Sequence, residues 1–136
     1  MSYLLDTNIC IYLLNGRRPE SIEIARRFSV ADCILSVMTE LELEVERIKS
    51  QRGIRYESTL ARFLASLTVL PLTREDARIA AQQRAYLERK GTPIGPYDLL
   101  IAAQALSRGL TIVTNNETEF RRVPGLKLEN WIPKTS

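Results

Sequence analysis

The apolar positions fall into short blocks whose spacing alternates between the period of a strand and that of a helix. Ser2-Tyr-Leu-Leu-Asp6 reads as a strand stopping at an acid; Thr7-Asn8 then opens Ile9-Cys-Ile-Tyr-Leu-Leu14, a buried helix halted by Asn15-Gly16. Pro19 suits a first helical position, and Ile22, Ala25, Arg26 and Phe28 continue at helical spacing. Cys33-Ile-Leu35 gives a second strand. The Glu/Leu alternation at 40–46 offers a strand with one wet face, but the stripe Val37, Met38, Leu41, Val45, Ile48 spans more residues, and glutamate favours helix. Tyr56, Leu60, Phe63, Leu64 and Leu67 mark another helix, Thr68-Val-Leu70 a strand, and Thr73-Arg-Glu-Asp76 a capped helix running to about Lys90. Pro96 begins a helix to Arg108 that is apolar on nearly every side and so belongs in the interior, with Gly109 ending it. Thr111-Ile-Val-Thr114 is a strand, Glu119-Phe120 a helical turn and Leu126-Lys-Leu-Glu129 a last strand. This alternation predicts an α/β fold in three layers, a mostly parallel sheet of four to five strands with helices on both faces.

A length of 136 residues, 45% of them apolar, makes residues 1–136 one domain that folds without disulfide or zinc staples. Cys10 and Cys33 sit inside apolar runs and read as free, buried thiols of a reducing compartment. With no apolar run near membrane length and no secretion signal at the start, the expected location is cytoplasmic, away from membranes. Histidine is absent, which removes imidazole-based triads, zinc-protease helices and histidine nucleases. A general base must then be a carboxylate, a lysine or a metal-bound hydroxide. The six glycines form neither a dinucleotide fingerprint nor a P-loop. Net charge is only +3, but 15 of the 19 cations are arginine, a bias toward a phosphate-rich partner that exposed helices share.

Ligands of an open α/β sheet collect beyond the carboxyl ends of its strands. Asp6 ends the first strand, Ser36 and Thr39 follow the second, Thr114-Asn115-Asn116 follows the fourth, and Asp98 lies in the first turn of the interior helix. Clustered carboxylates repel unless something positive holds them, so a Mg²⁺ or Mn²⁺ site is expected. Plainer readings stand beside this one. Asp6 is also a helix cap, Asp98 a complement to the helix dipole, and Glu40, Glu42, Glu44 and Glu46 are solvated glutamates when taken singly.

Leu4-Leu-Asp-Thr-Asn-Ile9, Gly91-Thr-Pro-Ile-Gly-Pro-Tyr-Asp98-Leu-Leu-Ile-Ala-Ala, Gly109-Leu-Thr-Ile-Val-Thr-Asn-Asn116-Glu-Thr-Glu-Phe120 and Gly125-Leu-Lys-Leu-Glu-Asn-Trp131, in that order, resemble a PIN-domain ribonuclease of the VapC toxin type. The resemblance implies a Mg²⁺-dependent endoribonuclease, with Mn²⁺ able to substitute. It also implies a VapB-type antitoxin partner that blocks the active site, a homodimer, and a structured RNA substrate such as tRNA or a ribosomal RNA loop. Asp6 matches the first family acid and Asp98 the third. Ser36-Val-Met-Thr39-Glu-Leu-Glu42-Leu43 matches the stretch bearing the second, which makes Glu42 the choice and Glu40 the alternative. Glu46 stands where a glycine often follows, and Asn116 where the fourth acid is frequently aspartate, so a second cation is held less strongly. Thr114 is expected to orient the acids through its hydroxyl. Metal-assisted hydrolysis would leave 5′-phosphate and 3′-hydroxyl ends, and Arg84 and Arg17 are expected to hold flanking phosphates. Related possibilities are an RNA-maturation nuclease and a silent PIN module. A phosphoacceptor domain would want paired acids at the first strand, and a haloacid-type phosphatase an acid where Asn8 stands.

Overall fold

The computed structural model describes residues 2–16 and 19–132. Its elements run β1 (Tyr3–Leu5), α1 (Thr7–Asn15), α2 (Pro19–Arg27), β2 (Cys33–Ser36), α3 (Val37–Ser50), α4 (Ile54–Ser66), β3 (Thr68–Leu70), α5 (Arg74–Arg89), α6 (Pro96–Arg108), β4 (Thr111–Val113), α7 (Glu117–Phe120) and β5 (Lys127–Glu129). The sheet has five strands in the order β3-β2-β1-β4-β5, and every neighbouring pair is parallel. The strand-helix alternation read from the sequence therefore holds, with α1 starting two residues before Ile9 because Asp6 caps it. The alternating stretch at 40–46 is helix, capped by the Ser36 hydroxyl, which accepts from the Met38 N–H at 3.0 Å.

Successive strand residues point to opposite faces, and this divides the core. Leu4 and Ile112 face a cluster with Leu87, Ile101, Ala102 and Phe120, beneath α5 and α6. Leu5 and Val113 face the other way, onto Ile9, Cys10, Ile24, Leu43 and Leu60 of α1 to α4. Cys10 and Cys33 are buried, free thiols in that second layer. Gly109, at φ 65°, supplies the left-handed turn that ends α6 and returns the chain to β4. Among the described residues, no helix is long and apolar enough to cross a membrane.

Candidate active site

The strand order sets the site. From β1 the chain proceeds outward through β2 and β3, then returns to place β4 on the opposite side of β1, so the order reverses between β1 and β4. A crevice opens at such a reversal, beyond the strand carboxyl ends. Leu5 pairs with Val113 in register, and the next residues, Asp6 and Thr114, reach the crevice side by side. A pocket of about 600 Å³ opens there; its lining includes Asp6, Glu42, Glu46, Lys49, Asp98 and Asn116. Asp6 follows β1, Glu42 lies on α3, Asp98 is the third residue of α6, and Asn116 precedes α7. Glu40, the alternative second acid, is not among the lining residues.

Short hydrogen bonds orient these groups. Asp6 Oδ1 accepts from the Thr7 N–H at 2.8 Å, the expected cap, while Asp6 Oδ2 accepts from the Thr114 hydroxyl at 2.7 Å. Thr114 Oγ1 in turn accepts from the Asn116 N–H at 2.8 Å. The Thr7 hydroxyl donates to Glu42 Oε1 at 2.8 Å and lies 3.4 Å from that of Thr39. Asp6 is therefore both cap and site residue, since each carboxylate oxygen retains a further lone pair.

Glu119 completes the group. Its Oε1 accepts from the Gly95 N–H at 2.6 Å and its Oε2 from Asn116 Nδ2 at 2.8 Å. A Cβ placed on Gly95 would lie 3.5 Å from Glu119 Oε1 and 3.8 Å from Asp98 Oδ2, so the bare α-carbon at the head of α6 stands between these two carboxylates. The two bonds hold Glu119 below the usual carboxylate range. Burial raises Asp6, partly offset by Thr114 and Thr7, and the charge of Glu119 raises it further. Asp98 is pushed up to about 7, first by burial and then by the charges of Asp6, Glu119 and Glu42.

This donor set fits a hard divalent cation. Its oxygens come from carboxylates and the Asn116 carbonyl, whose amide nitrogen is committed to Glu119. Burial and mutual repulsion together raise the Asp98 carboxyl, and a bound cation would offset both. Among the described residues, no three aspartate, glutamate, cysteine or histidine side chains are grouped so that together they could hold a metal ion. Mg²⁺ asks for less, because it keeps several waters and takes one or two carboxylates.

Residues 3–126 match the family model of the PIN domain. The chain is 40% identical over 131 residues to the tRNA(fMet)-specific endonuclease VapC of Salmonella typhimurium, with 96% of this chain and 98% of that one covered. It is 38% identical over 135 residues to ribonuclease VapC2 of Rickettsia felis, again covering 96% and 98%. A chain in the crystal structure of DNA-bound VapBC from Salmonella typhimurium superposes with a TM-score of 0.87 at 39% identity, covering 96% of this chain and 98% of that one. The chain belongs to the VapC family of PIN-domain ribonucleases. As a VapC-family member it is a nuclease, and the acid pocket lies where the strand order of its sheet requires a ligand crevice.

Two sequence expectations fare differently. Arg84, expected beside the cleft, lines a separate depression with Leu87, Glu88, Pro93, Ile94, Pro96 and Leu99, and pairs with Glu88 at 3.4 Å. That corrects its placement: Arg84 is largely exposed on α5 and is not among the residues lining the acid pocket. Arg17 lies outside the described residues. Glu46 does share the pocket with Glu42, and its charge is matched by Arg52 at 3.6 Å. Sequence reasoning missed Glu119 and the part played by Thr7. The signal for Glu119 was its place three residues after Asn116 in a helical turn, a spacing that brings two side chains together.

Proposed function

We propose that this VapC-family chain is the toxin of a VapBC-type pair, a Mg²⁺-dependent endoribonuclease that cuts structured RNA, tRNA or a ribosomal RNA loop, and so inhibits translation. The observation that carries this reading is the convergence of Asp6, Glu42 and Asp98 on one pocket, where burial first, and then the acidic neighbours, push Asp98 up to about 7. Asp6, Asp98 and Glu42 would hold the ion, with Asn116 beside them, and Mn²⁺ suits the same oxygens. When bound, a divalent cation makes an attacking water more acidic and stabilises charge on the phosphate in an in-line displacement.

The chain's own groups do the positioning. Thr114 and the Thr7 N–H fix both oxygens of Asp6, the Thr7 hydroxyl turns Glu42 inward, and Asn116 steadies Glu119. Nothing in this arrangement calls on the RNA 2′-hydroxyl, so the products expected are 5′-phosphate and 3′-hydroxyl ends. The partner reading has its own support. Leu41, Val45 and Ile48 stand exposed on α3, and Val45 also lines the acid pocket, so a protein seated on that face covers the pocket mouth. A VapB-type antitoxin is the partner inferred, on a homodimeric toxin working in the cytoplasm, where its thiols stay free.

Incubating antitoxin-free protein with total RNA, in Mg²⁺ and in chelator, and mapping the new ends tests this. The expected result is cleavage that chelator stops and Asp98→Asn abolishes. Cleavage surviving chelator, or ends bearing a 2′,3′-cyclic phosphate, would refute the mechanism.

A further inference from the structure

Beside the acid pocket lies another depression, of about 340 Å³, lined by Asn8, Ile11, Tyr12, Asn15, Ser21 and Asn115. The two share Asn8 and Ile11, so α1 is their common wall. Their linings differ in kind. Carboxylates and Lys49 line the acid pocket, whereas among the described residues no charged side chain lines its neighbour. Three carboxamides and two hydroxyls set against Ile11 and the Tyr12 ring suit a neutral, planar group with hydrogen-bonding edges.

Neighbouring residues turn the amides. Arg52 Nη1 donates to Asn15 Oδ1 at 2.8 Å, and Asn130 Nδ2 donates to Asn115 Oδ1 at 3.2 Å. Each of those carbonyls already accepts one bond, while the NH₂ groups of Asn15 and Asn115 donate to no group among the described residues and are available to the depression. Ser21, only 2% exposed, keeps a buried hydroxyl without a hydrogen-bond partner among the described residues. A native structure rarely tolerates such a group unless something completes its bonding. Arg52 is itself held: its Nη2 lies 3.6 Å from Glu46 Oε1, and its guanidinium sits 4.9 Å from the centre of the Tyr56 ring. One guanidinium thus ties a carboxylate of the acid pocket to an amide of the next.

We propose that this depression receives the base of a nucleotide flanking the scissile phosphate, read by the amide donors of Asn15 and Asn115, with Arg52 a positioning residue anchored by Glu46. The inference rests on the reading of the acid pocket as an RNA-cleaving site. The NH₂ groups of Asn15 and Asn115 match two acceptors in neighbouring positions on a base, such as guanine O6 and N7 or cytosine O2 and N3.

The test uses hairpin RNAs differing only at the two nucleotides that flank the mapped cut, each carrying every base in turn and an abasic residue. Removing the base at one of these positions is expected to lower kcat/KM at least about tenfold. The Asn15→Ala/Asn115→Ala protein is expected to cut intact and abasic substrates at equal rates. Arg52→Ala is expected to flatten base preference through KM, which a merely structural role would not do. Equal cleavage of intact and abasic RNA at both positions, or base preference surviving the double substitution, overturns the proposal while the nuclease reading stands. If no RNA is cut, that reading fails instead, and side-chain amide NMR spectra titrated with guanosine and cytidine decide the matter. Shifts of the Asn15 and Asn115 NH₂ signals uphold the pocket; unmoved signals overturn it.

Discussion

Asp76 and Asp98 are aspartates near the heads of neighbouring helices, yet they are placed in opposite electrostatic company. Asp76 is fully buried at the start of α5, where burial alone would raise its carboxyl. The Arg108 guanidinium, at 2.8 and 3.2 Å, together with the Thr73 N–H and the Ser107 hydroxyl, instead lowers it to about 2. Asp98 heads α6 and faces Asp6, Glu119 and Glu42, which together with burial lift it to about 7. The contrast offers a criterion for separating a structural acid from a candidate ligand: Asp76 has its counter-charge within the chain, whereas Asp98 faces other carboxylates. α5 and α6 pack against each other, so one helix pair carries both, with Asp76 and Arg108 locking one end and Asp98 open at the other.

Substitution at the two aspartates separates these roles. Asp98→Asn should lower RNA cleavage by on the order of 10³-fold, because it removes a metal oxygen and the charge behind it. The same change should raise the melting temperature in chelator, since it removes a repelled carboxylate. Asp76→Asn should do the reverse, costing about 3 kcal/mol in urea unfolding by stranding Arg108, while cleavage per folded molecule persists. A variant that lowered cleavage per folded molecule and stability together, at either site, would erase the distinction.

Smaller effects sharpen it. Thr114→Val leaves Asp6 Oδ2 without its donor and should weaken Mn²⁺ binding by about tenfold in a titration. pH offers a finer test, in chelator. Between about pH 4 and 7 the folded chain holds a proton on Asp98 that the unfolded chain releases, so stability falls as pH rises through that window. Between about pH 4 and 2 the unfolded chain protonates Asp76 first, so stability falls as pH drops. Each limb should be on the order of 1 kcal/mol once solvent screening is counted, and Asp98→Asn should flatten only the upper one.

Most of the fold was legible because each element announces itself locally. Val37, Met38, Leu41, Val45 and Ile48 recur at helical spacing, and the strand residues Leu4, Leu5, Ile112 and Val113 are apolar on both faces because both faces are covered. The order of the motifs pointed to Asp6, Glu42 and Asp98, and the fold brings these three to one pocket. What escaped depends on which side chains a turn brings together across distance. Glu119 sits in a four-residue helix with no periodicity to mark it, and its hold on Gly95 joins residues 24 apart. Arg84 went astray for a related reason: helical spacing gives a face, while the packing of α5 on the loop before α6 decides which depression that face meets. Arg52, likewise, acquires its partners Glu46 and Asn15 only through the fold.

The claim on which the account depends is that Asp6, Glu42 and Asp98 share one divalent cation. Calorimetric titration of the antitoxin-free protein with Mn²⁺, in buffers of different ionisation enthalpy, measures the protons displaced on binding. The account predicts a saturable site whose filling releases protons near pH 7, where burial and acidic neighbours keep part of the Asp98 carboxyl protonated, and almost none at pH 9. It also predicts that Asp98→Asn loses that release along with most of the affinity. Unaltered binding in Asp98→Asn, or no saturable binding at all, would contradict it.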